Sequence, residues 1–177
     1  MGVIRNALDY SEDVKRLEEG RAREFNDLRS LELRPEEVDL RRYFGAQNLL
    51  RDLIGQLDAL WVVGGNTFIL RRAMRQSGLD AILTRQGEHF VYAGYSAGAC
   101  VMTPTLRGIH LVDEPETVPA GYPKEIIWES LGFVPFSIVP HYKSDHPEAA
   151  LCEEVIAFFI AHRIPFIALR DGEVYTK

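Results

Sequence analysis

The sequence predicts an α/β fold, three layers deep, built on a mainly parallel sheet. Three observations point there. Short apolar runs at Ala59–Val63, Phe90–Ala93, Ser137–Val139 and Phe166–Leu169 read as buried strands. Helical stretches separate them, as βα units require. Residues with chemical character follow these strands: Gly64-Gly65, Ser96, His141 and Asp171. In parallel sheets, sites lie beyond the carboxyl ends of the strands.

Taken in order, Val3-Ile4 is a short apolar fragment. Residues 10–30 form an amphipathic, heavily charged helix that Ser11 can cap. Pro35 sits in a turn leading to a short strand near Val38-Asp39-Leu40. Residues 49–57 predict a short helix. The 59–63 strand ends at Gly64-Gly65, and a helix over 67–76 follows, closed by Gly78. A helical stretch over 81–86 precedes the 90–93 strand. Residues 106–135 are rich in Pro and Gly and predict a long irregular loop, a kind of segment that often carries function. Pro147 opens a helix over 148–162. Asp171-Gly172 suggests a tight turn and a small hairpin into Val174-Tyr175.

The 177 residues predict one domain, 1–177. A net charge of −6 argues against nucleic acid, which needs clustered Lys and Arg. No apolar run approaches a membrane span. Two cysteines, Cys100 and Cys152, make no disulfide framework. They read as small buried hydrophobes in a reducing cytoplasm. Neither has a metal-ligand partner at short spacing.

The densest signal is Phe90-Val-Tyr-Ala-Gly-Tyr-Ser96-Ala-Gly-Ala-Cys100. A buried strand turns hard through a serine flanked by small residues and starts a helix. Such a turn lifts a nucleophilic hydroxyl clear of the sheet, and Gly at −2 and +2 avoids side-chain clashes. The Ala97 N–H then faces the place where an oxyanion would form. A serine needs a base, and five histidines are available. His89 lies at the wrong end of its strand, His162 ends a helix, and His110 sits in the long loop. His141, directly after a strand, is the candidate base. His146 is the runner-up and more simply orders the loop or lines the pocket. The base needs an orienting carboxylate. Asp171 is the first choice, with Asp113, Asp145 and Glu148 as competitors. The chain order Ser, His, Asp differs from the Ser, Asp, His order of α/β-hydrolases. Gly64-Gly65-Asn66-Thr67 offers close backbone approach to a ligand, a second oxyanion donor and a helix N-cap.

Val62-Val-Gly-Gly-Asn-Thr-Phe68, Gly94-Tyr-Ser-Ala-Gly-Ala99, Pro104-Thr-Leu-Arg107 and Pro140-His-Tyr142 together resemble the dipeptidase E family of serine peptidases. The resemblance runs from about Ile4 to Glu173 and implies a class I glutamine amidotransferase-like, flavodoxin-like fold. It implies Ser96 as nucleophile, His141 as base and Asp171 as the third member. Gly65 and Ala97 fall at the oxyanion-hole positions. Asn66-Thr67 fits the dipeptidase branch over the cyanophycinase branch, where Gln is expected nearby. The implied activity is cleavage of dipeptides with an N-terminal aspartate by a cytoplasmic monomer or homodimer, without metal or organic cofactor. Gly64, Asn66, Thr67 and Arg107 would bind substrate. Arg107 is the expected partner of the aspartate side chain, with Arg170 and Lys143 as alternatives. The family begins with a further strand and helix ahead of the Val3-Ile4 segment, so the domain is expected to lack them. A non-catalytic ligand-binding relative, or an amide hydrolase with another substrate, are the competing readings.

Overall fold

The computed structural model describes residues 1–177. Its strands are β1 (Gly2–Ile4), β2 (Glu36–Glu37), β3 (Ala59–Val62), β4 (Val91–Gly94), β5 (Ser137–Val139) and β6 (Phe166–Ala168). Its helices are α1 (Val14–Ser30), α2 (Gln47–Ile54), α3 (Thr67–Ser77), α4 (Leu79–Leu83), α5 (Ala97–Cys100) and α6 (Ala149–Ala161). Four strands form a parallel sheet in the order β2-β1-β3-β4. A second parallel pair, β5-β6, stands apart from it.

Alternation along β1 and β3 creates the layers. Val3 and Val63 face α1, where they pack on Phe25 and Leu28 beside the partly buried Trp61. Ile4, Leu60 and Val62 face the other way, onto α2, α3 and α4 through Leu50, Ile54, Ile69, Leu70, Met74 and Leu79. Each such aliphatic side chain contributes about 1.5–3 kcal/mol on burial, so this second face supplies most of the core. A third cluster holds the β5-β6 pair to the rest: Phe68, Cys100, Leu106, Val139, Cys152 and Phe159.

Several expected boundaries move for identifiable reasons. α1 starts at Val14 because the Asp13 carboxylate, rather than Ser11, caps it, accepting from the Arg16 N–H at 3.0 Å. The strand expected near Val38 is instead β2, two residues earlier. Buried Asn6 accepts from the Leu40 N–H at 3.0 Å and donates to Asp9 and Asp39, which diverts the chain into a 3-10 turn over Leu40–Tyr43. No hairpin follows β6. Glu173 folds back on Arg170, bonding it through both backbone and side chain, and β6 pairs only with β5.

Residues 106–135 are irregular, as expected, yet firmly held. Fully buried Arg72 of α3 donates to the carbonyls of Pro115, Thr117 and Glu125 at 2.7, 3.3 and 2.9 Å. Neighbouring Arg71 donates to the Glu129 carbonyl at 3.0 Å and pairs with Asp80 at 3.1 Å. The planar guanidinium presents five donors, and here it replaces a sheet ladder as the organiser of a loop. No helix is long and apolar enough to cross a membrane.

Candidate active site

The serine turn is built by close packing of backbone. Ser96 adopts φ 49°, ψ −118°, a conformation costing on the order of 1–3 kcal/mol for a side-chain-bearing residue. The surroundings enforce it. The Tyr95 N–H donates to the Val62 carbonyl at 3.2 Å, and the N–H groups of Ala99 and Cys100 both donate to the Ser96 carbonyl at 2.9 Å. A Cβ on Gly98 would stand 2.2 Å from the Val62 carbonyl oxygen, so only glycine lets α5 settle against β3. The Ser96 hydroxyl has no hydrogen-bond partner in the protein and lines a cavity of 610 Å³.

Gly64 and Gly65 bring the β3 turn under this serine. A Cβ on Gly64 would lie 2.9 Å from Ser96 Cβ. Gly65 has φ +136°, and a Cβ there would lie 2.6 Å from the Ala7 carbonyl oxygen. Neither the Gly65 N–H nor the Ala97 N–H is bonded within the protein, which leaves both free to donate to an anionic oxygen. Asn66 has a different job. Its Oδ1 accepts from the N–H groups of Phe68 and Ile69, and its Nδ2 donates to the Glu114 carbonyl, all at 3.0 Å. The side chain is spent on capping α3. The Thr67 N–H donates to Asp113 Oδ2 at 2.8 Å, so Asp113 also caps that helix.

His141 follows β5 at φ 59°, and its Nδ1 lies 2.7 Å from Asp171 Oδ1. The Asp171 N–H in turn donates to Ser144 Oγ at 2.8 Å, and the Tyr142 N–H to the Leu169 carbonyl at 3.0 Å. The His141 and His146 rings stack with centroids 3.8 Å apart and planes 7° from parallel. His146 Nδ1 accepts from the Glu148 N–H at 3.2 Å, which leaves its own proton on Nε2 in the neutral ring. Ser96 and His141 line the same cavity, but no hydrogen bond joins them. Contacts of this kind tighten when substrate seats.

The inner end of the cleft is acidic. Asp113 and Glu148 line it beside Ser96 and Thr67. Burial pushes the Asp113 carboxyl up to about 6, against the lowering effect of its bonds to Thr67, with Glu148 and Glu114 adding to the rise. Both cysteines are buried, as expected, and each thiol donates to a carbonyl, Cys100 to Ile138 and Cys152 to Pro140. Burial pushes Cys152 up to about 11 and raises Cys100 as well; neither is a thiolate at neutral pH.

Arg107 is not brought to the cavity. It is exposed, with its guanidinium 5.4 Å from the centre of the Trp128 ring. Lys143 lies over the Tyr142 ring, and the Arg170 backbone N–H donates to the Glu173 carboxylate at 2.8 Å. His110 packs edge-on between Trp128 and Phe158, and His162 stacks on Phe158 at the end of α6. The cations that do line the cavity are Arg5, Arg16 and Arg23. Sequence reasoning missed Arg16 and Arg23 because an amphipathic, heavily charged α1 gave no sign that its polar face meets the site. The overlooked signal is Gly20 inside that helix, a poor helix former between two arginines at helical spacing.

Fold and site together set a strained serine turn and a histidine–aspartate pair around one cavity on a parallel α/β framework. The chain belongs to peptidase family S51, whose sequence profile matches residues 12–175. It is 34% identical over 127 residues to a protein of Drosophila melanogaster named as a probable alpha-aspartyl dipeptidase, covering 66% of this chain and 48% of that one. Peptidase E of Streptomyces coelicolor is 33% identical over 125 residues, covering 67% and 48%. An uncharacterized peptidase of Listeria monocytogenes is 30% identical over 163 residues, covering 85% and 74%. The chain thus spans about half the length of the first two relatives. Among solved structures, a candidate peptidase E protein from Listeria monocytogenes superposes with a TM-score of 0.74 at 24% identity, covering 99% of this chain and 85% of that one. That likeness establishes the fold.

Proposed function

We propose that this chain is a serine peptidase that hydrolyses dipeptides with an N-terminal aspartate. The observation that carries the reading is the His141–Asp171 bond of 2.7 Å in the same cavity as a strained, unbonded serine. In this reading His141 Nε2 takes the Ser96 proton as Oγ attacks the scissile carbonyl. Asp171 fixes the tautomer that leaves Nε2 free to accept and stabilises the imidazolium that forms. The N–H groups of Gly65 and Ala97 stabilise the tetrahedral oxyanion, a contribution worth a few kcal/mol per donor. His141 then protonates the leaving amine, and water repeats the sequence on the acyl-enzyme. The aspartyl preference rests on the name of the Drosophila relative above and on the motif resemblance. The reaction needs no metal or organic cofactor. Buried free thiols suit a cytoplasmic setting, and we place the protein there as a monomer or homodimer.

The test is labelling by a fluorophosphonate probe together with release of aspartate from Asp-Leu. Wild type should label and hydrolyse. Ser96→Ala should do neither while keeping its melting temperature, with a rate loss of about 10⁴-fold or more. A variant that keeps over about a tenth of the activity would remove Ser96 as nucleophile.

A further inference from the structure

We propose that Arg16 and Arg23 of α1 form the carboxylate-reading wall of this cavity; the proposal rests on the peptide-hydrolysing reading of Ser96. Arg16, Gly20, Arg23 and Glu24 recur at i, i+4, i+7 and i+8 and so share one helix face. All four line the cavity that Ser96 and His141 line. The cationic side chains of α1 are otherwise engaged: Arg21 pairs with Glu37 at 2.7 Å, Arg29 donates to Asn26, and Lys15 lies 3.8 Å from Glu19. Arg16 and Arg23 have no carboxylate within ion-pair distance and no side-chain hydrogen bond. Arginines left unpaired at the wall of a cavity are two bidentate forks of the shape that matches a carboxylate.

The helix that carries them is tied from three sides, while the two guanidinium groups themselves are exposed. Glu24 accepts from the Trp61 indole N–H and, at 3.1 Å, from the Tyr95 hydroxyl. That ties the helix face to the residue just before the nucleophile. Arg5 reaches in from the end of β1, donates to the Leu17 carbonyl at 2.6 Å and pairs with Glu37 at 3.8 Å. Its guanidinium lies over Gly20, 3.9 Å from where a Cβ would stand. Most of the remaining charged lining is acidic. Asp113 and Glu114 come from the long loop and Glu148 from the start of α6. Those groups repel a carboxylate and suit the α-ammonium of a peptide. The charges of an aspartyl dipeptide, one ammonium and two carboxylates, therefore find complements on different elements.

Two substrate carboxylates could be the one read, the aspartate side chain or the peptide's C-terminus. Steady-state kinetics on Asp-Leu, Asn-Leu and Asp-Leu amide separate them, comparing wild type with Arg16→Gln/Arg23→Gln. The double variant should raise KM for Asp-Leu about tenfold or more, with kcat changed far less. The loss should be much smaller on the peptide lacking the carboxylate that is read. That peptide is Asn-Leu if the side chain is held, and Asp-Leu amide if the C-terminus is held. Arg16→Lys/Arg23→Lys should recover part of the loss, because charge survives without the fork. Equal losses on all three peptides, or no loss on any, overturn the proposal. A second readout needs no turnover: calorimetric affinity for Asp-Leu in the Ser96→Ala background, with and without the two Arg→Gln changes. Affinity about tenfold weaker upholds the arginine wall even if wild type hydrolyses nothing, an outcome that would overturn only the peptidase reading. Unchanged or undetectable binding of Asp-Leu overturns the wall itself.

Discussion

At the scale of single residues, His141 and His146 carry different burdens despite stacked rings. His141 bonds Asp171, whereas His146 accepts from the Glu148 backbone and faces its partner ring to ring. His141→Ala should lower kcat by about 10⁴-fold, and adding Ser96→Ala should cost little more, since triad members act as a unit. His146→Ala should cost roughly tenfold by loosening the His141 ring, and His146→Phe should restore most of it by keeping a stacked plane. Rate measurements on the three variants decide this; a dead His146→Phe would make His146 a proton carrier. Asp113 supplies a pH signature. Its carboxyl is raised to about 6 in the folded chain from an ordinary 3.8. Its contribution to stability is therefore fullest below pH 3.8 and is lost as pH rises to about 6, leaving a penalty of up to about 3 kcal/mol above that. Asp113→Asn should raise the melting temperature at pH 8 and lose that advantage by pH 4. Melting curves across this range check it; a gain of equal size at both ends would rule out ionisation as the cause.

At the scale of elements, the strands that aim the site were legible, because continuous apolar runs leave little else for β3, β4, β5 and β6 to be. The Asn66 cap of α3 was also legible from its position between Gly-Gly and an apolar helix. Arg107 was drawn toward the site because its place depends on how the long loop is tied down. Those ties are Arg71 and Arg72 donating to carbonyls more than forty residues away, and no local pattern announces such bonds. The same holds for β2, set by the side chain of Asn6. The proposed α1 wall was not legible because that amphipathic helix buries only Phe25 and Leu28, and its exposed arginines look like any solvated charged face. The elbow itself makes a sharp element-level prediction. Gly98→Ala drives a methyl to 2.2 Å from the Val62 carbonyl oxygen. It should cost about 3 kcal/mol or more, by forcing α5 off β3. Circular-dichroism melts should show the loss; an unshifted melt would mean the β3–α5 contact yields freely.

At the scale of the whole molecule, the groups of the proposed triad are divided between two separately bonded sheets. Ser96 follows β4 of the four-stranded sheet, while His141 and Asp171 follow β5 and β6 of the pair. The two bodies meet through a greasy cluster that includes Phe159, fully buried at its centre. Phe159→Ala should destabilise by about 3–5 kcal/mol. Even well below its melting point the variant should lose kcat more than KM, because the histidine's seat moves and the substrate's does not. Paired thermal melts and low-temperature kinetics test this, and an unaltered kcat would show that the pair is positioned independently of the cluster.

The absence of ladder bonds between β4 and β5 has a mechanical consequence. A continuous sheet would lock nucleophile and base in one rigid lattice. Here the proposed nucleophile and base ride on two plates that meet mainly through apolar side chains, with a Cys100 thiol reaching across to the Ile138 carbonyl at 3.7 Å and the N–H groups of Leu131, Gly132 and Val134, ahead of β5, donating to the carbonyls of Val101, Thr103 and Met102, behind α5. Apolar contacts resist separation, but they set no fixed register along β4 and β5 as ladder bonds would. Sub-ångström slippage along this seam would change the serine-to-imidazole distance while breaking no backbone bond in either plate. On the proposed reading, whatever wedges or clamps the seam would throttle turnover from a position no substrate occupies.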